Sequence, residues 1–101
     1  SQIATTPPEW IVISDTDYRM GFNEKLLVDN SGVNRSIFFP TTLEVCKFFT
    51  IKALSNNVLI LPESYTLRFP KADVTGPDIV KLDEGQVLTF SALTTNILEV
   101  I

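Results

Sequence analysis

Histidine is absent from this chain of 101 residues, and cysteine occurs once. Without histidine there is no Ser-His-Asp or Cys-His nucleophile system, and the commonest zinc ligand is missing. The single Cys46 cannot form an internal disulfide or a cysteine-based metal site. It reads as a buried small apolar residue, because a reactive thiol needs a neighbour that lowers its pKa. Lys and Arg total 8 against 12 Asp and Glu, a net charge of -4. The basic residues are scattered, so no patch exists to displace counterions from nucleic acid. Glycine occurs only 4 times, and none falls in a phosphate-cradling GxGxxG or GxxxxGK pattern. No apolar run is long enough to cross a bilayer as a helix. The start, Ser1 to Pro8, has neither the basic region nor the apolar run of a signal peptide.

What is present is a globular composition with 45% hydrophobic and 20% charged residues. The length fits one domain. Residues 1–9 are rich in Thr and Pro, and Pro7-Pro8 imposes an extended backbone. They are expected to form an N-terminal arm ahead of a single β domain over 10–101. From Trp10 onward, short β-prone runs alternate with turn residues. The runs are 10–13, 26–29, 36–39, 47–53, 58–61, 65–69, 78–82, 86–93 and 97–101. Residues 14–23 read as a loop, and 42–46 as one helical turn or a loop. Strands at this spacing, without a helix of useful length, predict an all-β fold: a compact antiparallel β-sandwich or partial barrel.

The runs carry more apolar residues than one core needs. A sandwich strand buries one face, so it should alternate apolar and polar. Taking Val28, Ile37, Phe39, Phe49, Ile51, Val58 and Ile60 as the inner set leaves Leu27, Phe38, Phe48, Leu59 and Leu61 outside. Exposed together they would form a large patch for a monomer. At about 25 cal/mol per Å2, covering them in a subunit contact contributes several kcal/mol per chain. These five residues are therefore the expected oligomer interface. The competing reading is that the segment 62–78, or the arm, covers them.

The remaining chemistry is thin. Asp15, Asp17, Glu24, Asp83 and Glu84 could in principle supply paired carboxylates, yet all fall where turn-forming acids are expected. Asp15-Thr16-Asp17 hints at calcium, but Arg19 stands at a ligand position of the EF-hand spacing. Trp10, Tyr18 and Tyr65 are the aromatics with polar handles, and Trp10 reads as a core or interface anchor. No enzyme and no cofactor is expected.

One ordered set of features goes further. Trp10 to Ile13, Asp17-Tyr18, Leu26-Leu27-Val28-Asp29, Ser31-Gly32 and Ile37-Phe38-Phe39-Pro40 come first. Phe49-Thr50-Ile51-Lys52, Asn56-Asn57-Val58-Leu59-Ile60, Gly85 to Phe90 and Ile97 to Ile101 follow. Together they resemble a small β module of tailed-bacteriophage virion proteins, found in capsid decorations, head fibres and tail fibres. The resemblance spans about residues 10–101. It implies a structural or binding part without an active site, often a homotrimer. It implies a place in the virion, assembled in the host cytoplasm, with the major capsid protein or another virion protein as partner. Nucleic acid and membrane are not expected partners. The expected role is a trimeric capsid decoration or cement protein that binds the assembled shell. Its arm, through Ile3, Thr5, Thr6, Pro7, Pro8 and Trp10, would lie across capsid subunits. The alternative is a fibre adhesin domain that binds a host-surface glycan or protein.

Overall fold

The computed structural model describes residues 9–31 and 35–101. The arm residues Ile3, Thr5, Thr6, Pro7 and Pro8, and Gly32 of the turn, lie outside the described residues. The fold is all-β, and no helix occurs among the described residues. Eleven strands run in chain order: β1 Ile11–Ser14, β2 Tyr18–Arg19, β3 Lys25–Asp29, β4 Arg35–Phe38, β5 Phe48–Ala53 and β6 Val58–Leu61. They continue with β7 Thr66–Arg68, β8 Asp73–Thr75, β9 Val80–Leu82, β10 Val87–Ala92 and β11 Ile97–Val100.

They form two sheets, one of seven strands in the order β1-β3-β5-β10-β11-β7-β8 and one of four in the order β2-β4-β6-β9. The expected antiparallel arrangement is corrected: both sheets are mixed. β1, β3 and β5 run parallel, as do β2, β4 and β6. The chain reaches each parallel neighbour by crossing to the other sheet and back. No crossover helix is needed, because the opposite sheet supplies the return path. The C-terminal hairpin β10–β11 is antiparallel and sits inside the large sheet, between β5 and β7.

The core lies between the two sheets. The inner set inferred from alternation is fully buried: Val28, Ile37, Phe39, Phe49, Ile51, Val58 and Ile60 are each 0% exposed. Phe39, just past β4, joins the sheets, with its ring edge-to-face with Phe49 and with Phe90 of the large sheet. Phe22 and Phe69 extend this row of rings at its two ends.

Loop geometry has local causes. Asn30 is the only buried polar residue among those described. Its Nδ2 donates to the carbonyls of Arg35 and Asn57, each at 3.2 Å, and its backbone N–H donates to Ser55 Oγ at 2.6 Å. The turn after β3 is thereby tied to the turn before β6. Gly85 takes φ 89° in the turn into β10, a conformation that costs glycine little.

Three further expectations are corrected. Residues 14–23 contain β2, too short to register as a β-prone run. Residues 42–46 form bends and a turn, not a helical turn. Cys46 is exposed, not buried. It occupies that turn with φ 69°, and its N–H donates to the Ala92 carbonyl at 2.9 Å. Backbone demands of the turn set its position, so the usual preference of cysteine for the interior has no hold there.

Candidate docking faces

Strand alternation turns every second side chain away from the core, and the two sheets thus carry two separate outer faces. On the small sheet, register places Arg19 beside Phe38, Phe38 beside Leu61, and Leu59 between Ser36 and Lys81. Extending the β6–β9 register by one residue brings Ile79, 47% exposed, alongside Leu61. Phe38, Leu59, Leu61 and Ile79 thus make a continuous apolar strip with a basic side chain at either margin.

Arg19 is held firmly at its margin. Its Nη1 donates to the Phe39 carbonyl at 2.7 Å and to Glu63 Oε1 at 2.8 Å, and its Nη2 to Glu63 Oε2 at 3.2 Å. The guanidinium carbon lies 5.0 Å from the Phe38 ring centroid, within cation–π range. The hydrogen-bonded Glu63 carboxylate raises the Arg19 pKa further and keeps it charged. Both side chains of the pair are roughly two-fifths exposed, so the pair itself adds at most about 1 kcal/mol. Its main effect is to fix the guanidinium over Phe38.

Two recesses flank Glu63, which takes φ 54° between them. An apolar groove of about 370 Å3 is lined by Leu61, Pro62, Glu63, Gly76, Pro77 and Asp78. A more polar notch of about 270 Å3 is lined by Arg19, Pro40, Thr41, Glu63, Ser64 and Tyr65. Gly76 is required in the groove wall, because a Cβ there would lie 2.8 Å from the Glu63 carbonyl oxygen. Tyr65 is buried, and its hydroxyl donates to the Pro40 carbonyl. Burial first, then the nearby Glu63 charge, raises its phenol pKa.

The outer face of the large sheet is different. Its rows read Val12–Leu27–Lys52–Val87, Lys25–Thr50–Thr89 and Phe48–Ser91–Glu99–Arg68–Asp73. Apart from the adjacent Val12 and Leu27, apolar side chains there are separated by hydroxyls and charges. Thr50 and Thr89 share a hydroxyl hydrogen bond at 3.0 Å, and Arg68 Nε lies 3.6 Å from Asp73 Oδ1.

The five leftover apolar residues are therefore not brought together. Phe38, Leu59 and Leu61 share the small sheet, whereas Leu27 and Phe48 lie on the large one. Four of the five are half-buried, and Phe48 is 48% exposed. The segment 62–78 walls the groove beside Leu61, and the Arg19 guanidinium lies over the Phe38 ring. Trp10 is 40% exposed with Lys25 Nζ 5.5 Å from its ring centroid, so it is not a core residue.

Among the acids considered for catalysis, the carboxylates of Asp17 and Glu24 have structural partners. Asp17 Oδ1 accepts the Ser36 N–H at 2.8 Å. Glu24 accepts the Tyr18 hydroxyl through both carboxylate oxygens at 3.0 Å, and also the Gly21 N–H. Burial and this hydrogen bond raise the Tyr18 pKa. The N–H groups of Asp83 and Glu84 are bound by Gln86 and Asn56 side chains, which shape the turn before β10. No three His, Cys, Asp or Glu side chains gather among the described residues in a way that could hold a metal ion.

Sequence reasoning passed over the Arg19–Glu63 contact and the buried Asn30. The ion pair joins residues 44 apart and leaves no local signal. Asn30 is indistinguishable from any turn-forming asparagine until its burial is known. No protein-family model matches the chain, and no curated protein sequence matches it.

Proposed function

We propose that this chain is a non-enzymatic virion structural protein, a trimeric decoration or cement protein that binds the assembled capsid of a tailed bacteriophage. The observation that carries the reading is the apolar strip Phe38, Leu59, Leu61 and Ile79 on the small sheet, continued by the groove at Leu61. A strip of this kind, with charged margins, suits protein docking better than turnover of a small molecule. The motif line that resembles the phage module supports the virion assignment. Its pieces fall on successive strands of the two-sheet winding: Leu26 to Asp29 in β3, Ile37-Phe38 in β4, Phe49 to Lys52 in β5 and Val58 to Ile60 in β6.

A decoration stabilises a shell by binding only the assembled form, which is mass-action linkage. The N-terminal arm, 1–9, supplies the other contact, with backbone groups suited to strand addition on capsid subunits. The test is binding to purified capsids. Wild-type protein co-sediments with them, Leu61→Glu loses binding while remaining folded, and deletion of residues 1–9 also abolishes binding. Normal capsid binding by both altered proteins would sink the proposal.

A fibre adhesin is the alternative reading, favoured by the notch where Arg19, Thr41, Glu63 and Ser64 present polar groups beside an apolar groove. It requires binding to a host-surface glycan or protein and no affinity for capsids.

A further inference from the structure

Four strands form the edges of the two sheets, and one of them lacks the usual protection. The large sheet ends at β1 and β8, and the small one at β2 and β9. β2, β8 and β9 are two or three residues long and carry Arg19, Asp73 and Lys81. Short length and charge are what keep an edge from pairing with another chain. β1 reads Ile-Val-Ile-Ser, four residues with no charge and high β propensity.

The backbone of β1 is open in a defined way. The Asp15 N–H donates to the Asp29 carbonyl at 2.9 Å, continuing the parallel β1–β3 register. Alternate residues of a strand address opposite neighbours, so Ile13 and Ile11 also turn their N–H and C=O groups to β3. Val12 and Ser14 turn theirs outward, and nothing among the described residues pairs with them. The Val12 side chain is 62% exposed as well.

We propose that the open edge of β1 receives β1 of a second copy of this chain, antiparallel about a two-fold axis. The edge is complementary to itself. A two-fold axis perpendicular to the sheet keeps both core faces on the same side. Opposed residues must then share a face, and the axis must pass midway between the two copies of one residue. Centring it on Val12 opposes Val12 to Val12 of the second copy and Ile11 to Ile13 of the second copy. Trp10 and Ser14 face each other at both ends. All residues with outward backbone groups then meet one another, and the half-buried Ile11 gains an apolar neighbour. Asp15 leaves the strand at φ 48°, which ends the ladder before it would oppose Glu9.

This inference is independent of the virion reading, and it is compatible with three-fold association, since pairing would double any trimer. The experiment is solution mass by sedimentation equilibrium on the full chain. The wild type is expected as an even number of 11.3 kDa copies. Val12→Pro removes an N–H that β3 does not use, and Val12→Lys adds an edge charge. Each is expected to halve the mass with an unchanged far-ultraviolet circular dichroism spectrum. Circular dichroism identifies which variant is folded, and the mass of that variant decides. A monomeric or odd-numbered wild type, or an unchanged mass in a folded variant, overturns the proposal.

Discussion

Removing the ring of Phe39 is the sharpest test of how the two sheets are held together. Phe39 is 0% exposed, and its ring makes edge-to-face contacts with Phe49 at 5.5 Å and Phe90 at 5.4 Å. Such pairs add about 0.5–1.5 kcal/mol each beyond the area buried. Phe39→Leu keeps most of the apolar volume and loses both pairs, so it should cost about 1–3 kcal/mol. Phe39→Ala also opens a cavity and should cost about 3–5 kcal/mol. A domain of this size has about 5–15 kcal/mol in total, so the alanine variant sits near the limit of folding. Urea denaturation followed by circular dichroism reads both values. Phe48→Leu is the control: half-exposed Phe48 on the outer face should cost less than about 0.5 kcal/mol. Equal costs for Phe39→Leu and Phe48→Leu would refute the ring-junction reasoning.

The chain's 2 tyrosines should both titrate above the ordinary phenol value of 10.0, so phenolate absorbance should show no unshifted wave. Above that ordinary value the unfolded state binds fewer protons than the folded state, so stability should fall as pH rises through the raised folded values. Stability from these groups is fully present below the unfolded value, and denaturation curves across the alkaline range check the sign. Asn30→Ala strands the carbonyls of Arg35 and Asn57 and should cost about 1–3 kcal/mol by urea denaturation. Gly85→Ala places a side chain at φ 89° with no atom within 4 Å of its Cβ. Its cost should be backbone strain alone, about 1–2 kcal/mol by the same assay.

Most of the strands and the heart of the core were legible before the structure. Alternation states which side chains share a face, and Val28, Ile37, Phe39, Phe49, Ile51, Val58 and Ile60 followed from it directly. Alternation is silent on partners, because parallel and antiparallel neighbours accept the same pattern. Hence the parallel ladders of β1–β3–β5 and β2–β4–β6 were not visible. The same limit explains the docking face. Leu27 and Phe38 both point outward, but only topology places them on different sheets. Strands of two or three residues, such as β2 and β8, are too short to display a period at all.

The position of the β10–β11 hairpin sets the order in which this fold can be completed during synthesis. Without it, the large sheet exists as two fragments, β1-β3-β5 and β7-β8, each with a raw edge. The ribosome delivers the two flanks first and the piece that bridges them afterwards. A nascent chain halted before Val87 therefore holds two unsealed edges. Unpaired strand edges of this kind are what make a partly folded chain prone to mispairing. The hairpin acts as a zipper closed from the C-terminal side of the fold, and the large sheet must wait for it to leave the exit tunnel.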